Sequence, residues 1–178
     1  MVFTDDIEIG LGSMVALVNT AGEPDELLDL QALDAFAATY RWTGRRDHTQ
    51  RELDEVRALR PRLRQFWTRD EDGVVELVNE LLREYQALPQ LMRHDEFGYH
   101  FHASPLDAPY AERMAVEAAM SMSDVVRTGE LSRLRVCGMS DCDSVLIDLS
   151  KNRSKRYCDL NCSNRAAVTA YRARRATG

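Results

Sequence analysis

All four cysteines fall within 26 residues of the last quarter of the chain, in two close pairs. They read Cys137-Gly-Met-Ser-Asp-Cys142 and Cys158-Asp-Leu-Asn-Cys162, with fifteen residues between the pairs. Two short pairs with a mid-sized spacer are the pattern of a tetrahedral zinc site, because each loop turns back to offer two thiolates to one ion. Two disulfides, or free thiols that simply pack, are the alternatives. The start, Met1-Val-Phe-Thr-Asp-Asp6, is acidic and has no cleavage site after an apolar run, so no secretory leader is expected. The expected location is therefore cytoplasmic, where disulfides seldom persist. Neither pair has the Cys-x-x-Cys spacing of redox catalysts. Four thiolates close the coordination shell, so the single zinc is expected to be structural rather than catalytic.

Local structure follows from the same spacing. Cys158 and Cys162 are four apart and would share one face of a helix's first turn, where the dipole favours thiolate. Gly138 lies in the tight loop between Cys137 and Cys142. Ser144-Val-Leu-Ile-Asp-Leu149 reads as a short strand, with Leu134 and Val136 as its partner. Knuckle, hairpin and ligand-bearing helix make a treble-clef-like arrangement. So small a segment has little core of its own, so metal should supply much of its folding free energy.

Charge is split along the chain. Residues 127–178 hold 11 Lys/Arg and 5 Asp/Glu, a net of +6, whereas residues 1–126 hold 12 and 24, a net of −12. Basic residues flank the second cysteine pair: Lys151, Arg153, Lys155 and Arg156 before it, Arg165, Arg172, Arg174 and Arg175 after it. Arg165 and Arg172 are seven apart and share a helix face. Phosphate neutralisation with counterion release is the use such a surface suggests. Two other uses stay open: complementing a helix C-terminus in solvent, or docking on the acidic first domain.

The segment with Cys137, Cys142, Asp148-x-Ser150-x-Asn152-Arg153-Ser154-x-Arg156-x-Cys158 and Cys162-x-Asn164-Arg165 resembles the CGNR zinc finger. In that family the finger follows a helical ABATE domain, and the proteins are taken as stress-induced transcription regulators. Val18-Asn19-Thr20, Leu59-Arg60 and Leu77-Val-Asn79 fit the general form of the upstream domain. The resemblance implies that Cys137, Cys142, Cys158 and Cys162 bind zinc and that the finger contacts DNA. Three positions depart from the pattern. Ser163 stands where the naming motif has glycine, Tyr157 where tryptophan is usual, and Ala167 where relatives are commonly basic, which removes a phosphate contact.

Upstream elements must position this finger. At 178 residues with 44% apolar content, the chain can bury a core of one or two domains. No run of ~18 apolar residues occurs, so no spanning helix is expected. Leu11, Met14, Val15, Leu17 and Val18 fit a short buried helix. Asn19 after it is read as a cap in preference to a polar anchor in a pocket. Asp29 caps a helix over 30–40. Thr49-Gln-Arg-Glu52 matches a capping box for the helix carrying Leu53 to Trp67, which Pro61 should kink or split. Arg57, Arg60, Arg62 and Arg64 are read as a solvated or ion-paired face rather than an anion site. Asp70-Glu-Asp-Gly73 is read as a break before a helix from Val74 to Tyr85. Residues 91–94 and 99–102 read as a hairpin. Pro109 and Gly129 bracket a helix whose Met114, Met120 and Met122 are read as core in preference to a ligand pocket.

His94, His100 and His102 suggest a second metal, but no cysteine or acidic partner is tied to them, so half-exposed hairpin histidines are expected instead. No Ser/His/Asp arrangement or phosphate loop points to an enzyme. The expectation is an α+β protein: a mostly helical domain with a small β-hairpin over 1–130, then a treble-clef-like zinc finger with four cysteine ligands over 131–178. The expected role is a zinc-dependent DNA-binding regulator whose first domain dimerises or senses a small-molecule effector. Lys155, Arg156, Arg165 and Arg172 would meet phosphate, and Asn164 a base edge. The alternative is a protein-interaction module whose basic helix docks on an acidic surface.

Overall fold

The computed structural model describes residues 2–93 and 98–176. In order, its elements are α1 (Asp5–Asn19), α2 (Leu30–Thr39), α3 (Gln50–Arg64), α4 (Glu71–Glu84), β1 (Gln90–Arg93), β2 (Tyr99–His102), α5 (Tyr110–Arg127), β3 (Leu134–Val136), β4 (Val145–Ile147) and α6 (Leu160–Ala176). The architecture is α+β, with two separate two-stranded antiparallel hairpins, β1–β2 and β3–β4. His94, and with it any third histidine ligand, lies outside the described residues. No helix among the described residues is long and apolar enough to cross a membrane.

Side-chain caps set the helix starts. Asp29 Oδ1 accepts from the Ala32 amide at 2.8 Å, and Asp70 Oδ1 from the Gly73 amide at 3.0 Å. The acidic stretch read as a break is thus the first turn of α4, where carboxylates suit the helix dipole. α1 also starts earlier than its apolar pattern suggests, with Asp5, Asp6 and Glu8 in its first turn. Thr49 accepts from the Glu52 amide, but Glu52 does not reach back to close the box. It turns inward to Arg46 Nε at 2.8 Å and is buried.

Pro61 neither splits nor ends its helix, since α3 runs through it to Arg64. Proline cannot donate to the carbonyl four residues back. Arg60 Nε reaches that carbonyl, on Arg57, at 3.4 Å. The α3 arginines are paired, as expected: Arg57 with the Leu27 carbonyl, Arg60 with Asp25, Arg62 with Glu80 and Glu84.

α5 is the axis of the core and packs against α1, α3 and α4. Its small residues Ala115, Ala118 and Ala119 are buried and let the helices approach closely. Gly10 of α1 lies against Ser121 of α5, where any Cβ would clash with the serine hydroxyl. Met114 and Met122 are buried core, as read, while Met120 lines a cavity.

The β3–β4 hairpin joins the finger to the helices. Successive strand residues point to opposite faces. Val145 and Ile147 belong to the large helical core, while Leu146 packs with Cys137 and Cys162. Asn19 is not the helix cap that its position suggests. Its Nδ2 donates to the Val145 carbonyl at 2.9 Å, and its Oδ1 accepts from the Val145 amide at 2.8 Å. The carboxamide thus pairs with β4 as a neighbouring strand would. Trp67 Nε1 donates to the Leu146 carbonyl at 2.9 Å, and Arg64 donates to the Asp143 carbonyl at 2.6 Å.

Two outcomes follow from this packing. Asn19→Ala leaves an amide and a carbonyl of β4 unpaired, at about 1–3 kcal/mol each. We expect a lowered melting temperature and faster hydrogen exchange at Val145. Glu117 of α5 is held up at about 7, first by burial and then by the Asp6 carboxylate, against a smaller opposing pull from Arg113. The folded chain therefore keeps a proton that the unfolded chain, with its ordinary value of 4.5, gives up. Stability is full below about 4.5 and falls as pH rises through about 7. Glu117→Gln should remove that fall, narrowing the stability gap between pH ~5 and ~8 by on the order of 2 kcal/mol in denaturant titrations.

Candidate metal centre

Three short pieces of backbone bring the sulfurs together. Cys137 directly follows β3, and its amide donates to the Ser144 carbonyl at 2.8 Å, so the knuckle 137–142 closes the hairpin. Gly138 donates to the Arg156 carbonyl at 2.8 Å, and a Cβ there would press on that carbonyl and the Tyr157 ring. Close approach thus favours glycine, and Tyr157 packs on the cysteine cluster. Cys158 lies just ahead of α6 rather than in its first turn. Asp159 Oδ1 accepts from the Cys162 amide at 2.7 Å, so Asp159 caps the helix and Cys162 alone is helical.

The four Sγ atoms lie within 4.8 Å of one another, and Cys142 and Cys158 are 3.7 Å apart. A tetrahedron with Zn–S bonds of about 2.3 Å has edges of about 3.8 Å, so the sulfurs need draw in by no more than about 1 Å. All four are free thiols, not disulfides. Protein groups alone pull them apart in acidity. Hydrogen bonding to Ser144 lowers Cys142 to about 7, whereas burial raises Cys158 to about 11 and pushes Cys162 higher still. A divalent ion supplies the charge that holds all four as thiolates. Among the described residues no other group of three or more metal-ligating side chains converges. His100 and His102 meet through their Nε2 atoms at 2.9 Å, but Glu117 lies on the other side of His102, 3.7 Å from Nδ1.

Asp148 organises the loop between the cysteine pairs and is fully buried. Its Oδ1 accepts from the Ser150 amide and hydroxyl, and its Oδ2 from the Lys155 amide at 2.9 Å. Burial by itself raises the Asp148 carboxyl, but these bonds and Arg135 at 3.3 Å outweigh it and hold it below the usual carboxylate range. Buried Arg133 ties the same turn by donating to the Asp148 and Ser150 carbonyls. A carboxylate ending an apolar run was the available signal, because a buried charge must be matched.

The basic residues are less uniform than their sequence pattern. Arg153 has a φ of 50° and pairs with Glu130 at 2.9 Å, with Ser132 as a second acceptor. Arg165 pairs with Asp141 of the knuckle and stays 50% exposed. Lys155, Arg156, Asn164, Arg172, Arg174 and Arg175 are exposed. After Cys162, only Ser163 and Ala166 of α6 are even partly covered up to Arg175. The Arg172 side chain is not buried against carboxylates, as it would be if the helix docked on this chain's acidic surface.

Two family models match the chain. The ABATE model, described as "Putative stress-induced transcription regulator", matches residues 13–129. The CGNR zinc finger model matches residues 133–175. No curated protein matches the chain. The two descriptions name a zinc finger and a putative transcription regulator, not an enzyme. With the sulfur geometry, the finger match makes this the site of a single Zn2+.

Metal analysis of reduced protein should therefore return one zinc per chain. A strong chelator should release α6 and the 148–158 loop, seen as lost helical circular dichroism, while α1–α5 and the docked β4 keep their exchange protection. Cys162→Ser, at the buried ligand, should reproduce the chelated state.

Proposed function

We propose that this chain, which belongs to the ABATE family and ends in a CGNR zinc finger, is a zinc-dependent DNA-binding transcription regulator. Residues 131–178 form the DNA-binding unit, and residues 1–130 sense a signal or dimerise. The observation that carries this reading is α6. It is a basic helix fixed at one end by zinc and the hairpin, with its remaining length exposed to solvent.

A rigid cationic helix beside an acidic body presents its charge in one direction, and the acidic body repels phosphate from other approaches. Arg172, with Arg174 and Arg175 of the last turn, makes the end of α6 positive. Lys155 and Arg156 line a surface groove of about 480 Å³ beside Cys158. Both sets would neutralise phosphates and place the finger on the duplex. Asn164, exposed and one residue before Arg165, is the candidate for a base edge. Arg153 and Arg165 act differently. Each is tied to a carboxylate of this chain, so their first role is to brace the finger, and a phosphate must compete with Glu130 or Asp141 for them. Neither family description names a catalytic activity, and four sulfur ligands leave a zinc no substrate position. The role proposed is binding rather than catalysis.

A second reading has one observation in its favour. Val168 and Tyr171 stand 48% and 54% exposed on α6, so the helix could also serve a protein partner with an acidic rim.

Salt separates the two readings. Binding to a fluorescent duplex should weaken steeply with salt, with a log–log slope of about −0.9 per phosphate neutralised. Arg172→Ala or Arg156→Ala should weaken binding evenly across sequences and flatten the slope by about 1. Asn164→Ala should relax sequence preference while leaving the slope unchanged. A salt-independent affinity, or no loss in the Arg172→Ala, Arg156→Ala double variant, would refute the DNA assignment.

A further inference from the structure

We infer that the cavity enclosed by α1, α5 and the β1–β2 hairpin binds a small organic cation, a protonated amine on an apolar body. The cavity measures about 440 Å³. That is the size class of small-molecule sites, which pair mostly apolar walls with a few polar groups.

The apolar walls come from five separate stretches of chain, Leu91 of β1 among them. Ile7 of α1, Tyr40 and Trp42 after α2, Phe101 of β2 and Met120 of α5 all line it. Aromatic faces attract cations as well as apolar bodies. Trp42 is held in place by its indole N–H, which donates to Ser13 of α1 at 2.9 Å.

The charged groups decide the sign of the ligand. Asp6 of α1 and Glu117 of α5 both line the cavity, and the Asp6 charge helps to raise Glu117. Among the described residues neither has an arginine or lysine within ion-pair distance. The nearest cationisable group to Glu117 is His102, whose Nδ1 is 3.7 Å away. Asp124, the third carboxylate on the wall, is already paired with Arg127 at 3.1 Å. Of the two arginines on the wall, Arg113 is spent. Its guanidinium donates to the carbonyls of Thr43, Arg45 and Ala108 and holds that loop. Arg41 is solvent-exposed. His100 and His102 are engaged with each other through Nε2. Among the described residues, the cavity wall therefore carries two carboxylates, Asp6 and Glu117, that no arginine or lysine pairs, with His102 the one cationisable side chain within reach of Glu117. Glu117 is displaced toward its neutral form, first by burial and then by the Asp6 charge. An ammonium placed between Asp6 and Glu117 relieves both costs at once. An anionic ligand would add a third negative charge.

As an effector site the cavity presupposes the regulatory reading above, but as a binding site it stands on the cavity alone. The test is accordingly read on the zinc-loaded protein without DNA. Three isosteric probes are titrated by calorimetry and by Trp42 fluorescence: phenethylamine, 2-phenylethanol and 3-phenylpropionate. Phenethylamine should bind at least about tenfold more tightly than the alcohol, and the carboxylate should not bind. Glu117→Gln should weaken the amine by about tenfold or more, and Asp6→Asn by less. Glu76→Gln, on the exposed side of α4, should leave it unchanged. Glu117→Gln is expected to be at least as stable as the parent, so a loss of binding would not be a loss of fold. Three results would overturn the inference: equal binding of the alcohol or the acid, undiminished binding in Glu117→Gln, or no amine binding at about 10 mM. Any of them leaves the zinc and DNA outcomes untouched.

Discussion

A three-residue strand is the constraint on which the rest of this structure rests. β4 is buried on both faces, with Val145 and Ile147 turned into the helices and Leu146 into the cysteine cluster. Most two-stranded hairpins have one face in water and little stability of their own. This one is a partition between two cores, so each core limits where the other can be. Asn19 and Trp67 fix it further by hydrogen-bonding to its backbone. A shift of one residue in register would send Leu146 into the helices and expose the thiols to solvent.

That sharing changes what the metal does. A small finger standing alone draws its folding free energy from zinc. Here the knuckle and hairpin are anchored by the helices, so the ion's work concentrates on the segment after Asp148. The buried carboxylate shapes the turn that returns the chain to Cys158, and Asp159 then starts α6. The helix direction is set in two steps, one electrostatic and one metallic. The exposed remainder of α6 inherits that direction without packing of its own.

Much of the site was legible because its signals are local. The spacing of Cys137, Cys142, Cys158 and Cys162 encodes two loops, and loops of that size leave few ways to place four sulfurs. Asp29, Pro109 and Gly129 mark helix ends through bonds to near neighbours. What could not be read depended on distant partners. Asn19 follows a helix, where capping is the ordinary use, but its carboxamide meets Val145, 126 residues away. Pro61 lies inside α3, and the carbonyl that it leaves without its usual amide is met instead by the Arg60 side chain. Arg153 and Arg165 look alike in a basic run until Glu130 and Asp141 are placed beside them. The cavity draws its wall from five stretches of chain, none of which is unusual by itself.

The bond between Asn19 and Val145 also has a temporal side. During synthesis α1 emerges more than a hundred residues ahead of the strand that its Asn19 pairs with, and α5 only 17 residues ahead. Until residues 145–147 arrive, the slots for Val145 and Ile147 are an uncovered apolar surface on a nearly complete bundle. Contacts of such long sequence separation form slowly. A nascent chain stalled before β4 would be the aggregation-prone species, and chaperone engagement would be concentrated in that interval.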